Sequence, residues 1–219
     1  MLWRRRLDKA YIRVLSQPNL ESPVLLVGLP GIGNIGVIAA RLLIEFSHAE
    51  PFVEMYSPVL PDYTTVNENG LCSLLRYRFF ASKRGRDLLI LLGDAQPPIE
   101  DFSAYYEVCG EILDFIGELG CKRIITVYGF PAIYAQRTIY VAGTFREFVS
   151  ECVSMGAKVY GGGRIVGIPG LLLGLARVRG INGVCLLSPA VNLAADREAT
   201  LHLCGFLRKL LRLDEEDIV

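Results

Sequence analysis

Val24-Leu-Leu-Val-Gly28-Leu-Pro30-Gly31-Ile-Gly33-Asn34-Ile-Gly36-Val-Ile-Ala-Ala40-Arg-Leu-Leu-Ile-Glu-Phe46 decides the fold. Its first five residues are an aliphatic run closed by glycine, the pattern of a short strand covered on both faces. From Asn34 to Ser47, Ile35, Ile38, Ala39, Leu42, Leu43 and Phe46 recur at three and four residues and define an amphipathic helix. The uncharged run from Ser22 to Ala40 approaches the length of a membrane span. Its prolines, glycines and Asn34 rule out one continuous helix, which would leave backbone groups unpaired in lipid. Strand, glycine-rich turn and helix therefore open an α/β alternation.

The alternation continues outward. Pro51–Met55, Leu71–Phe80 and Leu88–Leu92 read as strands, the last almost wholly aliphatic and so expected at the sheet centre. Phe102, Tyr105, Cys109, Ile112, Ile116 and Leu119 step by threes and fours into a regular helix ended at Gly120, a left-handed cap. Lys122–Tyr128 is a β-branched strand. Thr144 and Glu147 form a capping box for a helix over 144–155, closed at Gly156. The glycine-rich segment 161–174 reads as turns, Gly183–Leu187 as a buried strand and Leu193–Leu213 as a final helix. This order specifies one domain over residues 1–219, an α/β three-layer sandwich with a mainly parallel central sheet. It includes a short basic N-terminal segment, residues 1–20, and an acidic tail, residues 214–219.

With 219 residues and 52% hydrophobic content, the chain buries about 70% of its extended surface without disulfides or metal. Its 23 basic and 23 acidic side chains cancel, so no global field draws it to nucleic acid or an anionic membrane. The N-terminal arginines are followed by charged residues rather than the apolar core of a signal peptide, so the protein is expected in the cytoplasm. None of the six cysteines is spaced as CxxC, and most are expected to be core thiols.

Gly31-Ile-Gly33-Asn34-Ile-Gly36 matches a dinucleotide GxGxxG, with Glu54 downstream. Yet Pro30 stiffens the turn and no Lys-Ser or Lys-Thr follows, so two readings stand: a phosphate loop, or small residues that let the helix pack closely on the sheet. Gly28 belongs to the same turn. Asp94 and Gln96, in Gly93-Asp-Ala-Gln-Pro97, follow a central strand where α/β proteins hold ligands, although Asp94 equally suits a turn cap. His48 and His202 are the only histidines, and no GxSxG, HExxH or cysteine-nucleophile signature is present. Tyr160–Gly170, with Arg164, reads as an anion nest or as turns. Phe130, Ile133 and Tyr134 fall in an apolar loop suited to an oligomer interface, a pocket wall or a folded-back core loop.

Together, and in this order, Val27-Gly-Leu-Pro-Gly31-Ile-Gly33-Asn-Ile-Gly36, Gly93-Asp-Ala-Gln-Pro97 with Tyr105, Ile124-Ile-Thr-Val-Tyr-Gly129, Gly163-Arg-Ile-Val-Gly167-Ile-Pro-Gly170 and Gly183-Val-Cys-Leu-Leu187 resemble the second-type proteasome assembly chaperone family and its archaeal homologues. The resemblance spans residues 20–212. It implies a fold similar to that of nucleoside phosphorylases without their activity, and a cytoplasmic homo-oligomer or heteromer that escorts proteasome α subunits. Older family labels suggest ATP-grasp enzymes, but neither a phosphate-lysine loop nor an acidic metal cluster supports them, and no cofactor or metal is expected. Some archaeal relatives end in a hydrophobic residue, a tyrosine and any residue. This chain ends Asp217-Ile218-Val219, which counts against tail docking of that type. The leading expectation is thus a non-catalytic chaperone or scaffold that associates with itself and with proteasome α subunits. The competing one is a small-molecule or nucleotide-binding enzyme built on Gly31–Gly36 and Asp94.

Overall fold

Four parallel strands form the centre of the computed structural model, which describes residues 10–213; the start of the basic segment and the acidic tail, with its terminal Asp217-Ile218-Val219, lie outside the described residues. In sheet order these are β7 (Leu88–Gly93), β2 (Val24–Gly28), β8 (Arg123–Pro131) and β11 (Asn182–Ala190). The register sets Leu25 of β2 beside Leu89 on one side and Ile124 on the other. β6 (Tyr77–Ser82), β3 (Glu50–Tyr56) and β1 (Tyr11–Val14) extend the sheet antiparallel beyond β7, and β9 (Tyr140–Gly143) pairs antiparallel with β11. β10 (Lys158–Val159) closes that edge, parallel to β9. The sheet is thus parallel in its core and mixed overall, because the antiparallel flanks contribute as many pairings as the parallel ones. This differs from the expectation of a mainly parallel sheet.

Successive strand residues point to opposite faces, which creates two cores. Leu26, Leu88, Ile90, Ile125 and Val127 face α1 (Ile35–Phe46), α3 (Arg146–Ser154) and α5 (Arg197–Leu210). Leu25, Val27, Leu89, Leu91 and Ile124 face α2 (Phe102–Glu118) and α4 (Ile168–Val178). The three layers expected from the alternation are therefore present.

Some local readings change. The stretch 71–80 is not one strand: β5 (Cys72–Leu74) turns back on β4 (Thr64–Val66) as a separate hairpin, and the sheet resumes only at Tyr77. The hairpin turn is built by Asn67, whose Oδ1 accepts from Asn69 and Leu71 N–H. Thr144 does not cap α3. Its Oγ1 accepts from Gly183 N–H at 2.8 Å, a buried strand partner that leaves Phe145 at the helix start without a side-chain cap. Segment 161–174 contains the start of α4, entered through Gly167 with Pro169 in the first turn. Gly129, Phe130 and Pro131 belong to β8 rather than to a loop. The final helix starts at Arg197, capped by Asp196, not at Leu193.

Candidate functional site

The Gly31–Gly36 turn follows β2 and passes through a short 3-10 segment, Ile32–Asn34, into α1. Several small residues in and around it, though not Gly31, are required by contact. A Cβ on Gly28 would lie 2.3 Å from Ala40 Cβ and 2.5 Å from Gly36 O, and one on Gly36 would lie 2.8 Å from Leu29 O. A Cβ on Gly129 would meet Ile32 O at 2.1 Å, so β8 also supports the turn from below. Gly33 has φ +66, and Asn34 is left-handed as well.

The turn's polar groups are largely used within the protein. Gly33 N–H donates to Leu193 O, Asn34 N–H to Gly31 O, and Asn34 Nδ2 to Ala194 O at 2.9 Å. Glu54 stands on β3, separated from β2 by β6 and β7, so it is not placed beside a ribose held at this turn. It binds instead to Arg13, Arg76 and the Tyr56 hydroxyl.

Asp94 and Gln96, at the carboxyl end of β7, are staples. Asp94 Oδ2 accepts from Arg76 N–H at 3.2 Å and Oδ1 from Arg78 Nη2 at 3.1 Å, joining β6 to the end of β7. Gln96 Nε2 donates to Pro30 O at 2.7 Å, and its Oε1 accepts from Ile168 N–H at 3.0 Å, the first turn of α4. In the anion-nest segment Tyr160–Gly170, this bond takes up one of the amides at the helix start. Arg164 and Gly161–Gly163 are exposed.

The structure brings Pro30, Asn34 and Asp94 together on a cleft of about 610 Å³. Its other walls are α1, through Val37, Ile38 and Arg41, the β4–β5 hairpin, through Tyr63, Thr65 and Ser73, and the start of β6, through Arg76 and Arg78. The arginines went unnoticed in the sequence, although the strand alternation Arg76-Tyr77-Arg78 sets both on the face opposite Tyr77. Arg76 is partly desolvated, which lowers the pKa of its guanidinium, but the Tyr56 hydroxyl and the carboxylates of Glu54 and Asp94 hold it above its ordinary value.

Phe130 lies apart from this cleft, in an aromatic group with Tyr140 at 5.8 Å and Tyr160 at 6.2 Å between ring centroids. Ile133 and Tyr134 stand in solvent, 85% and 75% exposed, on the loop after β8. Ala132 N–H donates to Ala190 O, which sets this loop beside the exposed Val191 and Leu193 after β11. Both histidines are exposed. Burial pushes the thiols of Cys109, Cys152 and Cys185 up to about 12 and those of Cys121 and Cys204 up to about 11, so these five are protonated at neutral pH. Among the described residues no group of three or more His, Cys, Asp or Glu is placed to hold a metal, and no helix is long and apolar enough to cross a membrane.

The overall arrangement has known counterparts. The crystal structure of Pyrococcus furiosus PbaB, an archaeal proteasome activator, is 31% identical, covers 95% of this chain and 91% of its own, and superposes with a TM-score of 0.88. P. furiosus PbaA, an archaeal homologue of proteasome-assembly chaperone, shares the fold at 23% identity and a TM-score of 0.78, over 94% of this chain and 83% of its own. An uncharacterised protein of Methanocaldococcus jannaschii is 29% identical over 205 residues, 91% of this chain and 76% of its own. The PAC2 family model matches residues 25–217, which include the Gly31–Gly36 turn, the Asp94–Gln96 staples and, but for Val24 of β2, every parallel strand of the core. The chain belongs to the PAC2 family.

Proposed function

We propose that this protein is a non-catalytic assembly chaperone or scaffold of the cytoplasm, working as a homo-oligomer on proteasome α subunits or a related assembly. The observation that carries this reading is the character of the sheet's carboxyl edge. There Asp94, Gln96 and the amides of Gly33 and Asn34 are bonded to the protein itself, while Ile133 and Tyr134 project into solvent beside Val191 and Leu193. Polar groups that position other loops do not serve a reacting centre. Exposed aliphatic and aromatic side chains in one place suit a protein partner. The likeness to PbaB, described as an archaeal proteasome activator, supports a proteasomal partner.

Native mass spectrometry of the purified protein, alone and with proteasome α subunits from the same source, tests the proposal. We expect a defined homo-oligomer and a mixed complex of fixed stoichiometry, the latter weakened by the double substitution Ile133→Asp, Tyr134→Asp. A monomer that forms no mixed species would overturn the reading.

A further inference from the structure

The geometry points to a binding site for a small phosphorylated organic anion in the cleft between α1, the β4–β5 hairpin and the start of β6. Three arginines line it, Arg41, Arg76 and Arg78, against one carboxylate, Asp94. That carboxylate is already committed, one oxygen to Arg78 and the other to the Arg76 backbone N–H. Glu54, just outside the lining, divides its two oxygens between Arg76 and Arg13. Counting these six side chains, four cations face two anions, an excess of two positive charges.

The guanidiniums are also only partly paired: Arg76 Nη1 donates to the Tyr56 hydroxyl and lies 3.3 Å from Glu54 Oε1, and Arg78 Nη2 donates to Asp94 Oδ1. Arg76 Nε and Arg78 Nε are buried with no hydrogen-bond partner, an unusual condition for groups that desolvate at high cost. No ion pair among the described residues engages Arg41, which stands exposed across the cleft on α1. An oxyanion supplies acceptors to planar guanidinium forks of this kind. Val37, Ile38, Tyr63 and Leu75 give the cleft an apolar side, which favours an organic moiety over a bare ion. Its volume of about 610 Å³ lies in the range of small-molecule sites. The inference is independent of the chaperone reading, because neither Ile133 nor Tyr134 lines this cleft.

Isothermal titration calorimetry of the full chain with glucose 6-phosphate, inorganic pyrophosphate and citrate as probes, at low and moderate salt, tests the site. Arg41→Glu alters it without removing a structural bond, and Lys122→Glu, an equal charge reversal at an exposed position outside the lining, serves as control. We expect saturable binding of the phosphorylated sugar, weakened about tenfold or more by Arg41→Glu and left within about twofold by Lys122→Glu. Absence of saturable glucose 6-phosphate binding up to about 10 mM would overturn the proposal. So would an equal loss in the two variants, which would mean general surface charge. Binding of citrate and pyrophosphate as tight as that of the sugar phosphate would reject the organic phosphate in favour of a plain anion site.

Discussion

Within the motif Gly31-Ile-Gly33-Asn34-Ile-Gly36 and its neighbour Gly28, the glycines differ sharply in what surrounds them. Gly28 sits in full contact with Ala40 and Gly36 O, whereas a Cβ on Gly31 meets nothing within 4 Å and its φ of 179° is ordinary extended backbone. If the motif serves packing, the two positions must respond differently to one added methyl group. Gly28→Ala is expected to destabilise by about 1–3 kcal/mol through overpacking, and Gly31→Ala to change stability by less than about 0.5 kcal/mol. Urea unfolding midpoints measure both. Equal sensitivity at the two positions would count against the packing reading. Asp196 tests a different residue-scale bond. Burial raises its pKa, but N–H bonds from Ala199, Val191 and Asn192 outweigh that and hold the carboxyl below its ordinary 3.8. A depressed acid stabilises the fold above its unfolded pKa and loses that contribution as pH falls through its folded value. Asp196→Ala should therefore cost about 1–2 kcal/mol at pH 7, and the gap to the unsubstituted protein should close as pH drops below 3.8. Thermal melts across that range would show the convergence, and a gap independent of pH would refute the charged cap.

At the level of elements, the strands and helices with uniform aliphatic character were legible in the sequence. β2 matches its expected span, Val24–Gly28, β7 extends the expected Leu88–Leu92 by one residue, and α2 follows the regular steps of its apolar stripe. Burial drives these elements, and burial leaves a periodic record. The elements that stayed hidden are stabilised by contacts the local sequence does not record. α4 contains Gly170 and Gly174, poor helix formers, yet Thr126 Oγ1 donates to Pro169 O and Gln96 caps the first turn from a distant loop. The β4–β5 hairpin lies outside the main sheet and exposes Val66, Leu71 and Leu74, so alternation gave no burial signal. Of the residues singled out in the sequence, three, Pro30, Asn34 and Asp94, come together on one cleft, while Gln96, Phe130, Ile133 and Tyr134 do not line it. Their polar groups are bonded to partners far apart in sequence, as Gln96 is to Ile168, and local patterning does not record such partners.

Across the whole molecule, one sheet backs two separate cores, and the cysteines report on both. Cys109, Cys121 and Cys185 lie in the layer with α2 and α4, while Cys152 and Cys204 lie in the layer with α1, α3 and α5. Cys72, on β5, is exposed. A thiol reagent near pH 8 should therefore modify one cysteine at once and the other five only through opening of the structure, because burial both shields them and keeps them protonated. The two layers cannot open independently at low cost: β8 gives Ile124 to one core and Ile125 and Val127 to the other, so loss of either layer exposes a shared strand. Cooperative unfolding through this shared sheet predicts that the five buried thiols react with one common opening free energy, equal to the global stability. Mass-resolved labelling in increasing denaturant separates the cases, since each cysteine can be placed in its own peptide. Earlier labelling of Cys152 and Cys204 than of Cys109, Cys121 and Cys185 would mean that the layer carrying α1, α3 and α5 is a separate folding unit.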